Sequence, residues 1–229
     1  MKRSPIKNYN EKAIVLTQRI FITATNTDIG KTYATKLLIK EFTLQGYRVG
    51  VFKPIETGVI DKPIDGSELL SEARKYNPEL KQLNVNEIVP VQFRLPAAPY
   101  VASNAAAIDL QIIDKALHKV ESHCDIVLIE GAGGLMVPID QDKMMIDLIS
   151  HFQAKALLIS HCKLGCINDT LLSIAALEHA GLAYKWALNC RDDDNSFAEV
   201  SEPYFKEQYP LIYKLSNDIT ALAKALLQS

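Results

Sequence analysis

Residues 23–32 read TATNTDIGKT. The last three, Gly30, Lys31 and Thr32, match the end of a phosphate-binding loop. In the common form of that loop, G-x-x-x-x-G-K-[ST], a first glycine stands five positions before the second. Here that position is Thr25, preceded by Ala24. A bare GKT is weak evidence, because Lys-Thr also opens ordinary helices. The context decides the reading. RIFITAT (19–25) is a short apolar run of strand type. GKTYATKLLIKEFTLQG (30–46) carries Leu37, Leu38, Phe42 and Leu44 at helical spacing and closes on Gly46. Strand, loop and helix in that order are what a phosphate loop requires. Backbone N–H groups at a helix start, with the helix dipole, attract phosphate oxygens. Lys31 is placed to reach the terminal phosphates, and the Thr32 hydroxyl to bind Mg²⁺.

The alternation continues outward from the loop. Strands are expected at 47–55, 125–130, 154–160 and 183–190. Helices are expected at 67–76, 108–122, 144–152 and 166–181, then near 196–208 and at the C-terminal end. Residues 58–66 read as a Gly/Pro/Asp loop, GAGG (131–134) as a glycine loop, and 84–107 as mixed and Pro-rich, with the turn-like LPAAPY. The strands are continuously apolar, which fits strands buried on both faces. The expected fold is α/β: a P-loop NTPase-type doubly wound, mainly parallel sheet with helices on both faces. Residues 1–18 are expected to be a loosely attached extension and 19–229 a single domain.

The chain has 229 residues, 48% hydrophobic and 23% charged, enough apolar material for a core. A net charge of −2 leaves no basic footprint, so nucleic acid is a poor default partner. No apolar run is long enough to span a bilayer. The first 20 residues lack a signal-peptide pattern. The four cysteines (Cys124, Cys162, Cys166 and Cys190) are scattered, with no second pair to complete a zinc site. They are expected to be reduced core or near-core thiols in a cytoplasmic protein.

Two further strand ends carry charge. Glu130 closes DIVLIE just before GAGG, and a carboxylate at the C-terminal tip of a parallel strand lies on the ligand-binding edge. Taken alone, a solvated acid before a turn is as good a reading; beside a phosphate loop, a Mg²⁺ ligand opposite Thr32 is the better one. KPIETG (53–58) ends another strand and sets Lys53 at the same edge, where a second lysine can offset charge on a phosphoryl group.

TATNTDIGKT, KPIETG, IEGAGGLMVPI and KLGCINDTLLSIAALEHAG, in that order, resemble the dethiobiotin synthetase family over roughly Arg19 to Asn189. That family uses a stretched phosphate loop with a small residue ahead of T-x-T-[ED]-x-G-K-T. Here Ala24 stands for its frequent glycine and Asn26 for its frequent aspartate. The resemblance implies ATP-dependent ring closure of 7,8-diaminononanoate with CO₂, with Mg²⁺ as cofactor, in biotin biosynthesis.

Residue by residue, it implies that Asp28, Ile29, Gly30, Lys31, Thr32 and Tyr33 wrap the nucleotide. Thr27 lies between substrate and γ-phosphate. Lys53 is catalytic together with Lys31 and Thr27, and Thr57 contacts the diamine. Glu130 binds Mg²⁺; Gly131, Ala132, Gly133 and Gly134 line phosphate and substrate. Asn189 contacts the base, with Cys190 beside it. Asn168 and the N–H groups of 164–166 reach the substrate carboxylate of a neighbouring subunit, which implies a homodimer with sites at its interface. Read without the family, Asn168 is a helix N-cap. The family's third Mg²⁺ ligand, an aspartate before a small residue, has two candidates in PIDGSELL: Asp65, the better match, and Glu68. The stretch after Cys190 departs from the family, with KLSND (214–218) where a Pro-containing loop is frequent, and leaves base selectivity open. The alternative function is a partition-type nucleotide switch. Those proteins place an extra lysine in the front half of the loop, and TNTDI has none.

Overall fold

A computed structural model of the protein describes residues 17–191, 194 and 196–228. Most of the expected extension, 1–16, lies outside the described residues. Six strands form one sheet: β1 (Gln18–Ala24), β2 (Val49–Phe52), β5 (Ile126–Gly134), β6 (Lys155–His161), β7 (Tyr184–Asn189) and β8 (Tyr213–Lys214). Their order is β2-β5-β1-β6-β7-β8, and every pairing is parallel. A separate parallel pair joins β3 (Ile55–Thr57) to β4 (Val91–Phe93).

Residues 126–131 of β5 and 20–24 of β1 are buried one after another. Successive side chains on a strand point to opposite faces, so both faces of the sheet are covered. The cover comes from α1 (Lys31–Leu44), α2 (Ile64–Tyr76), α5 (Leu110–Glu121), α6 (Met145–His151), α7 (Cys166–His179) and α10 (Ile219–Leu227). Shorter helices are α3 (Val85–Ile88), α4 (Pro99–Ala102), α8 (Phe197–Val200) and α9 (Glu202–Gln208). The expected mainly parallel α/β sheet is therefore present. The chain leaves β1 for β2 on one side and passes from β5 to β6 on the other. A crevice at such a switch point, outside the carboxyl ends of the strands, is where this architecture binds ligands.

Four boundaries differ from the sequence reading. The strand expected over 47–55 stops at Phe52, and the chain turns off the main sheet to pair β3 with β4. The expected GAGG loop is instead strand: β5 runs through to Gly134, with a register shift against β1 between Ile22 and Ala24. The helix near 196–208 is two, broken at Ser201 ahead of Pro203. The helix expected from 67 starts at Ile64, a turn early.

The cysteine expectation also needs correction. Cys162 and Cys190 form a disulfide, with Cα atoms 4.9 Å apart, while Cys124 and Cys166 are free and buried. The cause lies in the register: His161 pairs with Asn189 across β6 and β7, so the next residue of each strand faces the other.

Leu38 of α1 has no exposed surface. Leu38→Ala should lower unfolding stability by about 2–5 kcal/mol, the cost of a core cavity, in urea denaturation. An unchanged midpoint would contradict this packing.

Candidate active site

The loop between β1 and α1 takes its shape from both neighbouring strands. Thr25 N–H donates to the Ile159 carbonyl at 3.0 Å, so the front half continues the β1–β6 ladder in place of a leading glycine. Asp28 has φ 59° and Gly30 φ 107°. A Cβ on Gly30 would stand 2.2 Å from Asn189 Nδ2, so this glycine is required by both backbone and space. Asn189 donates to the Ile29 carbonyl at 2.7 Å, and Arg191 donates to the Asp28 carbonyl. The far end of β7 thus holds the rear of the loop.

Below the loop lies a buried charge cluster. Lys53 follows β2, is 3% exposed, and places Nζ 2.9 Å from Glu130 and 3.1 Å from Asp65. Glu130 is fully buried in β5 and also accepts from the Thr32 hydroxyl at 3.1 Å and the Thr35 hydroxyl at 3.0 Å. Burial disfavours the charged form of Lys53, but Glu130 and then Asp65 outweigh it and hold its pKa above the ordinary lysine value. Lys31 shifts the other way: burial, then the nearby Lys53 charge, lower its pKa. Glu56 in β3 has its pKa raised, chiefly by burial, although two backbone N–H bonds oppose the shift.

Asp65 and Glu68 are now distinguishable. Asp65 stands in the first turn of α2 and reaches Lys53, whereas Glu68 pairs with Lys36 at the surface. Two carboxylates and a hydroxyl make a hard-oxygen set of the kind that holds Mg²⁺ together with nucleotide phosphates.

A cleft of about 900 Å³ opens over this cluster. Thr27, Asp28, Gly30, Lys31 and Thr32 line it from the loop. Lys53, Thr57, Asp65, Glu130, Ala132 and Gly133 line it as well. Most of the expected site residues are thus brought together by strands far apart in sequence.

Others lie elsewhere. Tyr33 is 49% exposed on α1, away from the cleft lining. Ile29 is half-buried and contributes its carbonyl. A Cβ on Gly131 would press on Phe21 at 2.8 Å, and one on Gly134 would approach the Ala24 and Thr25 carbonyls at 3.3 Å. Both therefore keep β5 close against β1. Cys190 is committed to its disulfide. Asn168 is exposed in the first turn of α7; the N-cap there is Gly165, so the capping reading fails. Its amide donates to Asp169 at 3.1 Å.

Several lining residues were not singled out from sequence: Glu56, the Pro96–Pro99 stretch, Val137 and Arg191. KPIETG points to the cleft through Lys53 and Thr57 but not through Glu56, and LPAAPY reads only as a turn; the β3–β4 pair is what brings Glu56 and the prolines to the cleft.

Comparison with known proteins places this geometry. Residues 18–208 match the AAA domain family. The protein named ATP-dependent dethiobiotin synthetase BioD in Sulfurovum sp. is 42% identical over 207 residues, 90% of this chain and 99% of its own. Its namesake in Wolinella succinogenes is 35% identical over 213 residues, 92% of this chain and 98% of its own. The chain belongs to the ATP-dependent dethiobiotin synthetase family. Among solved structures, a plasmid partition protein from Borrelia burgdorferi superposes with a TM-score of 0.52 at 8% identity, covering 92% of this chain and 96% of that one. That likeness is of the fold alone and adds nothing to the switch alternative. Among the described residues, no helix is long and apolar enough to cross a membrane.

Glu130 needs a positive partner because water cannot reach it. Lys53→Met should lower stability by about 3–5 kcal/mol, and adding Glu130→Gln should recover most of that. Strict additivity in a denaturant double-mutant cycle would show that the two charges do not depend on each other.

Proposed function

We propose that this cleft makes dethiobiotin from 7,8-diaminononanoate, CO₂ and ATP. The observation that carries the reading is Lys53: a buried ammonium held at the mouth of a phosphate loop, between two carboxylates and beside Lys31. One amine of the substrate takes up CO₂ to give a carbamate. The carbamate oxygen attacks the γ-phosphate, ADP leaves, and the second amine attacks the resulting mixed anhydride. A C–N bond closes the cyclic urea as the C–O bond to phosphate breaks.

Little covalent work falls to the protein. It must align carbamate and phosphate and offset charge on the phosphoryl oxygens. The loop N–H groups and Lys31 would hold the phosphates. Lys53 and Thr27 lie on the side where carbamate and γ-phosphate meet, with Thr57 toward the diamine. Asp65, Glu130 and the Thr32 hydroxyl would hold Mg²⁺, which neutralises phosphate charge when bound. Asn189, with Cys190 next to it, would face the base.

The reading extends to a homodimer, with Asn168 and the 164–166 backbone reaching the neighbour's substrate carboxylate. What supports it is exposed apolar surface at the same place: Leu164 is 81% exposed and Leu172 64%. A cytoplasmic location is part of the same proposal.

Phosphate release from ATP with Mg²⁺ and bicarbonate should depend on 7,8-diaminononanoate and stop with EDTA. Release without the diamine would point instead to a nucleotide switch. Lys53→Ala should cut turnover by at least about a hundredfold while leaving nucleotide affinity largely intact. Wild-type turnover in that variant would remove Lys53 from the chemistry.

A further inference from the structure

The first turn of α2 has no cap of its own. Its N-cap is Pro63, which offers no side-chain oxygen. The helix-start donors are instead satisfied from another element. The Glu56 carboxylate, in β3, accepts from Asp65 N–H at 3.0 Å with one oxygen and from Gly66 N–H at 2.9 Å with the other. Glu56 is 5% exposed. The contact leaves no slack: a Cβ on Gly66 would stand 2.1 Å from Val89 Cγ2 and 3.3 Å from Glu56 Oε2. The residue so held, Asp65, turns its own carboxylate onto Lys53 at 3.1 Å.

We infer that Glu56 is a positioning residue: by clamping the N–H groups of Asp65 and Gly66 it sets the Asp65 carboxylate at the metal and phosphate end of the cleft. Glu56 acts through Asp65 and touches no reacting atom. Its backbone is anchored by the β3–β4 pair, outside the main sheet, so the clamp ties a peripheral element to the active site. The inference rests on the proposal that Asp65 helps hold Mg²⁺, and the test separates the two.

The measurement is nucleotide binding by calorimetry across a Mg²⁺ titration, with phosphate release in parallel. Asp65→Asn should raise the Mg²⁺ concentration at half-effect by about tenfold or more, as loss of a ligand or its support does. Glu56→Gln should raise it by about tenfold. Leu69→Ala, which removes a buried side chain from the same helix, should lower the melting temperature without moving the Mg²⁺ requirement. Rescue gives the sharper readout. Asp at the N-cap accepts from the second and third helical N–H groups, the ones Glu56 now serves. Pro63→Asp added to Glu56→Gln should therefore return the Mg²⁺ requirement toward wild type, and it keeps the test available if Glu56→Gln alone does not fold. Rescued stability with an unrescued Mg²⁺ requirement would overturn the inference, because Glu56 would then act on the ligand directly. So would an unchanged requirement in Glu56→Gln beside a raised one in Asp65→Asn. An unchanged requirement in Asp65→Asn would remove the metal role of Asp65, and the inference with it.

Discussion

Lys53 and Glu130 sit where neither charge has water to fall back on. A carboxylate with no exposed surface is tolerable only when it is paired and its remaining lone pairs are occupied. Glu130 meets both conditions, with the Lys53 ammonium and the hydroxyls of Thr32 and Thr35. The three partners come from the end of β2 and the first five residues of α1, so one carboxylate fixes the relative position of the phosphate loop and the second lysine. Asp65 then brings α2 to the same point. Stability and function share these contacts: the pairing that makes the burial tolerable also places the groups that would meet a triphosphate.

A fold of this kind does not fix the task, and the likeness to the partition protein with a TM-score of 0.52 is one of fold alone. The cleft of this chain holds two lysines, Lys31 and Lys53. The front half of the loop, TNTDI, has no lysine. The second lysine instead arrives from the end of β2 and is held by acids from β5 and α2.

Much of this is legible in the sequence, and three of the parts that are not share a cause. The strand–loop–helix around Gly30 is local, and apolar periodicity reveals it. Lys53 is legible because a charge after an apolar run marks a strand end; the same signal finds Glu130, although β5 continues four residues past it and Glu130 is not at the tip. The start of α2 is not legible, because its cap, Glu56, lies in another strand and Pro63 looks like loop. The continuation of β5 through GAGG is hidden because glycine reads as turn, while here the small residues let β5 lie against Phe21 and the Ala24 and Thr25 carbonyls. The Cys162–Cys190 bond depends on the β6–β7 register, which spacing alone does not reveal. Each of these three misses is a contact between elements whose partner lies elsewhere in the chain, whereas the break at Ser201 ahead of Pro203 is local.

The strand order carries a kinetic consequence. β1, the central strand, pairs with β5 and β6, both far downstream. Thr32 and Glu130 are 98 residues apart and Lys53 and Glu130 are 77 apart. A chain emerging from synthesis therefore completes its phosphate loop and first helix long before the carboxylate that anchors them exists. Loop-closure entropy must be met before these pairings yield any stabilisation, which slows folding of such parallel sheets. Until β5 lies between β1 and β2, the Glu130 carboxylate cannot meet Thr32, Thr35 and Lys53.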